Sequence, residues 1–425
     1  MQIIGIDIGT TSICGVVVDA ENGTVLQSKT INSEAFIESK KTFEKMQSPQ
    51  KIISIATEIL DSLITDNTAA IGVTGQMHGI VYIDNNGTAV SPLYTWQDKR
   101  GDEPYLDTTY AKYLGSFTGY GCVTDFYNRQ NNLVPENAVS FCTIHDYLVM
   151  TLCALKAPII HTTDAASFGL YDIENNRFTN GFSPKITNDY KIAGKYKNIP
   201  VSVAIGDNQA SVFSTLKSEK DLLINVGTGS QVSFVSDHII NGENLEIRPY
   251  FDNKYLIVGA ALCGGRAYSL LKDFYKAILL KNGNISDEKI YEIMNEMLES
   301  DSPVLSVDTR FAGTRENPIS SGSINGITTE NFTPEALTKG VLAGMCDELY
   351  NMFLNMQTTI TGIVGSGNGI RKNKYLISLC EEKFESKMKI PTHLEEAAIG
   401  AALFGGVSAK IFKDSKEAQR NINYR

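Results

Sequence analysis

Apolar and polar positions fall into short blocks from the first residue onward. Gln2–Ile8 is an apolar run carrying Asp7 near its end, and Ile13–Asp19 is a second, joined to it by Gly9-Thr10-Thr11-Ser12. Asn22-Gly23 then marks a hairpin turn into Thr24–Thr30. Three consecutive strands with short turns predict an antiparallel meander. A Walker loop or a dinucleotide fingerprint needs a helix directly after its glycine loop, so a third strand in that place disfavours both.

Further along, Ser48–Thr65 has helical apolar spacing behind a Ser-Pro start, and Ile71–Val73 and Ile80–Asp84 have the pattern of strands. Phe141–Leu155 is expected to be a helix, and Phe168–Asp172 a strand before the turn at Glu174-Asn175-Asn176. In the second half Leu222–Val226, Gln231–Val235 and Leu256–Ala261 predict strands, and Ala267–Leu280 a helix. Pro334–Thr361 is a long helical stretch. Ile363-Val364 is a strand leading into Gly365-Ser366-Gly367-Asn368-Gly369, and alanine-rich Glu395–Leu403 is a closely packing helix.

One segment occurs twice. Ile6-Asp7-Ile8-Gly9-Thr10-Thr11-Ser12 aligns with Ile224-Asn225-Val226-Gly227-Thr228-Gly229-Ser230, with four of seven positions identical at an offset of 218 residues. Both copies lie between predicted strands, which points to an internal duplication. The chain of 425 residues is then expected to form two α/β domains, 1–213 and 214–425, divided just after Gly206-Asp207-Asn208-Gln209-Ala210.

Composition narrows the function classes. A net charge of −10 with no basic run argues against a nucleic-acid partner. An Asp inside the first apolar run suits neither a signal peptide nor a membrane span. The seven cysteines are scattered and contain no CxxC pair, as expected of reduced thiols in a cytoplasmic protein.

The chemistry is expected in the glycine-rich loops. Two strand–turn–strand loops rich in Gly and Thr, one per half, suit the gripping of a polyphosphate such as that of ATP. Glycine lets the backbone approach the oxygens, and the hydroxyls of Thr10, Thr11, Ser12 and Thr228 add donors beside Gly227 and Gly229. Asp7 is placed to hold a hydrated Mg2+, which takes one or two carboxylates plus phosphate oxygens and water. Plain hairpins are the alternative, but they leave an acid inside an apolar strand unexplained. Asp207 comes after the apolar run Val201–Ile205 and is the candidate base for an attacking hydroxyl, with a helix N-cap as the structural alternative. Gln76, Met77 and His78 lie in a glycine-bracketed segment and could face a polyol, with a structural histidine as the alternative for His78. Trp96 with Asp98 could form a pocket wall, against the alternative of a core tryptophan beside a surface ion pair. Gly365–Asn373 could approach adenine or ribose.

In this order the segments resemble the FGGY family of carbohydrate kinases, from Ile4 to Phe404. The resemblance implies a two-domain actin-like, sugar-kinase (ribonuclease H-like) ATPase fold, with a duplicated mixed-sheet core and an interdomain cleft. Asp7–Ser12 is similar to the family's first phosphate loop and Asn225–Ser230 to its second, although Thr228-Gly229-Ser230 departs from the commoner ending. Gly206-Asp207-Asn208-Gln209 resembles the segment holding the family's base, Gly264-Gly265 and Gly365–Asn373 those flanking the nucleotide, and Glu395–Ala402 the closing helix. The resemblance therefore implies ATP and Mg2+ as cofactors, with Gly265, Gly367, Asn368 and Asn373 at the nucleotide. It places Gln76, Met77, His78, Trp96, Asp98, Asp207 and Asn208 at a small sugar. Gly75-Gln76-Met77-His78-Gly79 is the form seen in ketose kinases, and Tyr94–Asp98, Ile144–Tyr147 and Thr163–Gly169 look nearest to sedoheptulokinases, with xylulokinases second. No nucleic-acid or membrane partner is expected, and a homodimer is the assembly considered. A non-catalytic sugar or nucleotide sensor and a hydrolytic ATPase of the actin or chaperone type are the rival expectations.

Overall fold

A computed structural model describes residues 1–182, 184–279, 285–314, 317 and 319–425. The chain forms two compact units. The first comprises Met1–Lys217, Arg248–Lys254 and His393–Asn423, and the second Ser218–Ile247, Tyr255–Thr392 and Tyr424–Arg425.

The first unit opens with the expected meander: β1 (Gln2–Ile8), β2 (Ser12–Asp19) and β3 (Val25–Asn32), each antiparallel to the next. Gly23, at φ +73°, turns the second hairpin, where a side chain would also strike the backbone of Asn421. Helix α1 (Pro49–Leu63) starts where Ser48 accepts a hydrogen bond from the Lys51 amide and proline takes the first helical position. It buries Ile52, Ala56, Ile59, Leu60 and Leu63 against the sheet. β4 (Thr68–Gly75) then runs parallel to β1.

The expected helix from Phe141 begins later. Phe141 and Cys142 pair with Tyr82 and Val81 as a strand, and α2 covers Ile144–Leu152. A capping box between Thr143 and Asp146 sets that start. The strand expected from Phe168 is likewise shorter: α3 (Thr162–Ser167) ends against Phe168, and only Tyr171-Asp172 pairs, with Arg177-Phe178. The sheet is completed by β5 (Ile192–Tyr196), β6 (Ile199–Ser202) and the short β7 (Ile205–Gly206), in the order β5-β6-β4-β1-β2-β3 with β7 also on β4. Helix α4 (Asp207–Thr215) begins at the next residue.

The second unit repeats the device. β8 (Asp221–Val226) and β9 (Ser230–Ser236) are antiparallel, β10 (Tyr255–Ala261) is antiparallel to β9, β11 (Gly362–Ser366) is parallel to β8 and β12 (Met388–Lys389) parallel to β11. The order β10-β9-β8-β11-β12 matches β3-β2-β1-β4-β6 strand for strand, so the short sequence repeat marks a repeated topology. Helix α5 (Gly264–Leu279) starts three residues before the sequence pattern suggests, and the expected last position, Leu280, lies outside the described residues. Helix α6 (Pro334–Asn355) stops at Met356, short of Thr361. The short α7 (Gly367–Lys372) comes directly after β11.

Helix α8 (Glu396–Ser408) returns to the first unit, where its small residues allow backbone-to-backbone packing. A Cβ on Gly5 would sit 1.8 Å from the Ala398 carbonyl oxygen, one on Gly72 1.8 Å from that of Ala401, and one on Gly400 1.8 Å from that of Ala210. Any side chain at these three positions is excluded. Through α8 the contact ties α4, which carries Asp207, to the middle of β1 and β4. Among the described residues no helix is long and apolar enough to cross a membrane.

Candidate functional site

Sheet register brings together residues far apart in sequence. Asp7 lies opposite Thr74 and Ile8 opposite Gly75 across β1 and β4, while Ile205 lies opposite Thr74 and Gly206 opposite Gly75 across β4 and β7. The Thr74 hydroxyl donates to the Ile205 carbonyl at 2.7 Å, locking that alignment. Three parallel strands therefore end level, and their ends lead into Gly9-Thr10-Thr11, Gln76-Met77-His78 and Asp207-Asn208.

Asp207 is the first residue of α4, and Gly206 holds the N-cap position, so the carboxylate sits in the positive first turn without serving as the cap. Burial raises its pKa to about 6, against the lowering pull of His145, Arg248 and a hydrogen bond from the Asn208 amide. Asp7 rises to about 7, through burial first and then through the proximity of Asp207, with Glu395 adding and His145 opposing. Both are only partly exposed. Two acids beside one another with raised proton affinities form an electrostatically unfavourable pair that a cation would relieve. Among the described residues no three His, Cys, Asp or Glu side chains form a metal cage. One or two carboxylates completed by water and phosphate oxygens are what Mg2+ takes, so Asp7 and its surroundings fit that ion.

The first loop and the proposed sugar wall are joined. The Gln47 side-chain amide donates to the Thr10 carbonyl at 2.6 Å, and the Gln76 amide donates to Gln47 Oε1 at 2.9 Å. The Thr10 hydroxyl accepts from Trp96 Nε1 at 2.9 Å and donates to Gln76 Oε1 at 3.5 Å. Trp96 is 47% exposed, so it is no core tryptophan. Met77 is buried beneath Gly206, where a Cβ would come within 2.8 Å of its terminal methyl. His78 occupies the left-handed region at φ 72°, a strain of about 1–3 kcal/mol for a non-glycine residue of the kind that collects at binding sites. Its Nδ1 donates to the Ser167 carbonyl at 2.8 Å, and its ring stacks on Tyr120 with centroids 4.3 Å apart. Asp98, by contrast, is fully buried. Its oxygens accept from Arg100 Nε at 2.7 Å and Nη2 at 3.0 Å, and from the Lys45 and Arg100 amides. Asn208 is part-buried at the start of α4, and its Oδ1 has no hydrogen-bond partner among the described residues.

Sequence reasoning gave no site role to Gln47, His145, Asp164 and Arg248. His145 Nε2 donates to Asp164 Oδ1 at 2.9 Å with both side chains fully buried. Burial pulls the imidazole down, but Asp164, joined by Asp146 and Asp207, carries the pKa up to about 9. Arg248 lies near Asp207 and Tyr120, with burial lowering its pKa. A His-Asp dipeptide inside the apolar helix pattern of 144–152 was the available signal, since buried charges require partners.

In the second unit the loop between β8 and β9 is closed by the Gly227 amide donating to the Gly229 carbonyl at 2.9 Å. The N-terminus of α5 sits on it: the Gly265 amide donates to the Gly227 carbonyl at 3.0 Å and the Arg266 amide to that of Thr228 at 2.9 Å. A Cβ on Gly264 or Gly265 would lie 2.4 or 2.3 Å from loop backbone atoms, which is why two glycines open this helix. A cavity of about 350 Å³ borders Asn225, Gly227, Thr228, Gly229 and Ser230. The Asn225 side chain donates to the Ser366 hydroxyl at 2.6 Å, and Gly367 comes next at φ +81°, against the backbone of Val226. Asn368 is exposed beside it. Asn373 is nearly buried and caps the helix Lys374–Lys383, its Oδ1 accepting from the Leu376 amide at 2.9 Å.

Known proteins resemble this chain in sequence and in fold. Residues 2–183 match the model of the FGGY family of carbohydrate kinases, N-terminal domain. A sedoheptulokinase of Mus musculus is 26% identical over 462 aligned positions, covering 94% of this chain and 96% of that protein. The solved structure of a ligand-bound xylulose kinase from Lactobacillus acidophilus superimposes with a TM-score of 0.84 at 18% identity, covering 100% of this chain and 92% of that one. A Plasmodium falciparum glycerol kinase with ADP superimposes at 0.79 and 20% identity, over 99% and 92%. The fold is thus the actin-like fold of the sugar kinases.

Proposed function

We propose that this phosphotransferase, whose residues 2–183 match the N-terminal domain of the FGGY family of carbohydrate kinases, takes a ketose as its acceptor, sedoheptulose first and xylulose second. The observation that carries this reading is the level ending of β1, β4 and β7, which sets Asp7, the Gln76–His78 segment and Asp207 side by side. A carboxylate of pKa about 6 is ionised at neutral pH yet basic enough to accept a hydroxyl proton as the phosphoryl group arrives. Gln76, Met77, the strained His78, Trp96 and Asn208 bind and orient the sugar. Asp98 acts on the same wall by fixing Arg100 and the Lys45 amide. The two relatives with ketose kinase names support that acceptor class.

The γ-phosphoryl donor, ATP, is held by Gly227, Thr228, Gly229, Gly265, Gly367, Asn368 and, through its cap, Asn373, with Thr10, Thr11 and Ser12 receiving the transferred group. Asp7 holds hydrated Mg2+, which when bound neutralises phosphate charge. The protein works in the cytoplasm. ADP release with Mg-ATP is measured against sedoheptulose, D-xylulose, D-ribulose, L-ribulose, glycerol and gluconate. Preference for a ketose supports the reading. Preference for glycerol or gluconate replaces the acceptor, and ATP binding without any sugar-stimulated release favours a sensor.

A further inference from the structure

We propose that Gln47 is a positioning residue for the acceptor site: its buried amide locks the first Gly-Thr loop to the sugar wall of Gln76 and Trp96. The inference rests on the assignment of those two residues to the sugar and of Thr10 to the transferred group. All of these residues belong to the first unit. Gln47 is itself 0% exposed, so it acts through its neighbours and not on a ligand. Its backbone is fixed from two sides. Met46 and Gln47 form a short strand in which Gln47 pairs with both Phe36 and Leu93. The Lys45 carbonyl accepts from the Thr95 amide at 3.1 Å and from the Thr95 hydroxyl at 2.8 Å, which ties this segment to the residue before Trp96.

The side chains then allow a single pattern of donors and acceptors. A carbonyl oxygen only accepts, so Gln47 turns its amide nitrogen to Thr10, at 2.6 Å, and leaves its Oε1 for Gln76. Gln76 must therefore turn its own nitrogen to Gln47, at 2.9 Å, and its Oε1 toward the Thr10 hydroxyl, at 3.5 Å. An indole N–H only donates, so that hydroxyl accepts from Trp96 at 2.9 Å and points its proton at Gln76. Two groups without a choice of role, the Thr10 carbonyl and the Trp96 indole, thus fix two amides that could otherwise flip. Thr10 is held by its backbone and its side chain at once, and Gln76 is buried beside it. Without Gln47 the Gln76 amide has no fixed direction, and a buried N–H is left unsatisfied. With it, loop and wall move as one body. A sugar seated on Gln76 and Trp96 then keeps its distance from a group arriving at Thr10.

The test has two arms on the full-length protein. Trp96 is the single tryptophan of the chain, so its indole N–H gives one unambiguous ¹H–¹⁵N resonance. In Gln47→Met, which keeps the length and loses the amide, that resonance is expected to shift and its proton to exchange with solvent about tenfold faster. The hydrogen bonds of Gln47 reach Trp96 only through Thr10 and Gln76, so the shift reads the lock itself. Gln47→Asn, too short to span both partners, carries the same expectation should the methionine variant not fold. An unmoved resonance in a folded variant overturns the proposal whatever the substrate proves to be. In the second arm, Gln47→Met is expected to lower kcat/KM for the preferred sugar about 10- to 100-fold, with the KM for ATP held within about threefold. Added to Trp96→Phe it should cost no more than about a further threefold, because both changes break one relay. Losses that multiply in the double variant, or an unchanged kcat/KM for the sugar, overturn the proposal. A wild type inactive on every sugar would instead fault the ketose reading, and the indole arm alone would then decide the lock.

Discussion

The two Gly-Thr loops share a backbone and differ in charge. In the first unit β1 delivers Asp7 to the loop, surrounded by Asp207 and Glu395 and raised to a pKa of about 7. In the second, β8 delivers Asn225 to the equivalent position, and its amide ties the loop to Ser366, the residue before Gly367. The supports differ in the same sense. Thr10 and Thr11 are held through side chains and a single amide, from Gln47, Trp96 and Ser33, whereas Gly227 and Thr228 are held by the amides of a helix N-terminus. One copy thus keeps a buried acid, the proposed Mg2+ ligand, and the other a neutral, backbone-pinned loop, the proposed polyphosphate cradle.

Asp7→Asn makes the first loop resemble the second, and it should have the largest effect on the comparison. Turnover is expected to fall about 100-fold or more, with the Mg2+ dependence weakened, as steady-state kinetics across Mg2+ concentrations would show. The same variant should be more stable than the wild type at pH 8. A carboxyl whose pKa is higher in the folded protein than in the unfolded chain favours folding while protonated. That contribution is lost as pH rises from about 4 through about 7. The variant's advantage at pH 8 is about 1–3 kcal/mol, discounted for partial exposure, and vanishes near pH 4 in denaturant titrations.

Gly265→Ala attacks the second loop's support. The new methyl meets the Gly227 carbonyl, so the loop must move. ADP affinity by calorimetry should drop about tenfold, with about 1–3 kcal/mol lost in stability. Asn225→Ala removes only the tie to Ser366, and it should cost about 1 kcal/mol and raise the KM for ATP a few-fold at unchanged sugar KM. An equal loss from Asn225→Ala and Asp7→Asn would mean that the two loops do the same work.

Much of this was legible in the sequence where the signal was local. The meander from Gln2 to Asn32, the repeat at Asn225 and the close packing of the alanine-rich helix α8 all arise from short patterns of apolar, glycine and small residues. The site is less legible because it is made by register between strands that cross over in parallel. Nothing near Asp207 announces that Gly206 will pair with Gly75. Nor does Arg248, in a short polar strand, betray its place beside Asp207. Asp98 shows the converse: the acid next to the exposed tryptophan spends both oxygens on Arg100 and backbone amides, a partnership two residues away that the sequence left open. The shortened helix at 144–152 had its explanation in plain view, in the Thr143-x-x-Asp146 capping box.

The central claim is that Asp207 accepts the proton of a sugar hydroxyl, and Asp207→Asn tests it most directly. Sugar-stimulated ADP release and ATP affinity would be measured on the same preparation at pH 8. The account predicts turnover reduced about 100-fold or more with ATP affinity unchanged. Near-native turnover in a folded variant would contradict it.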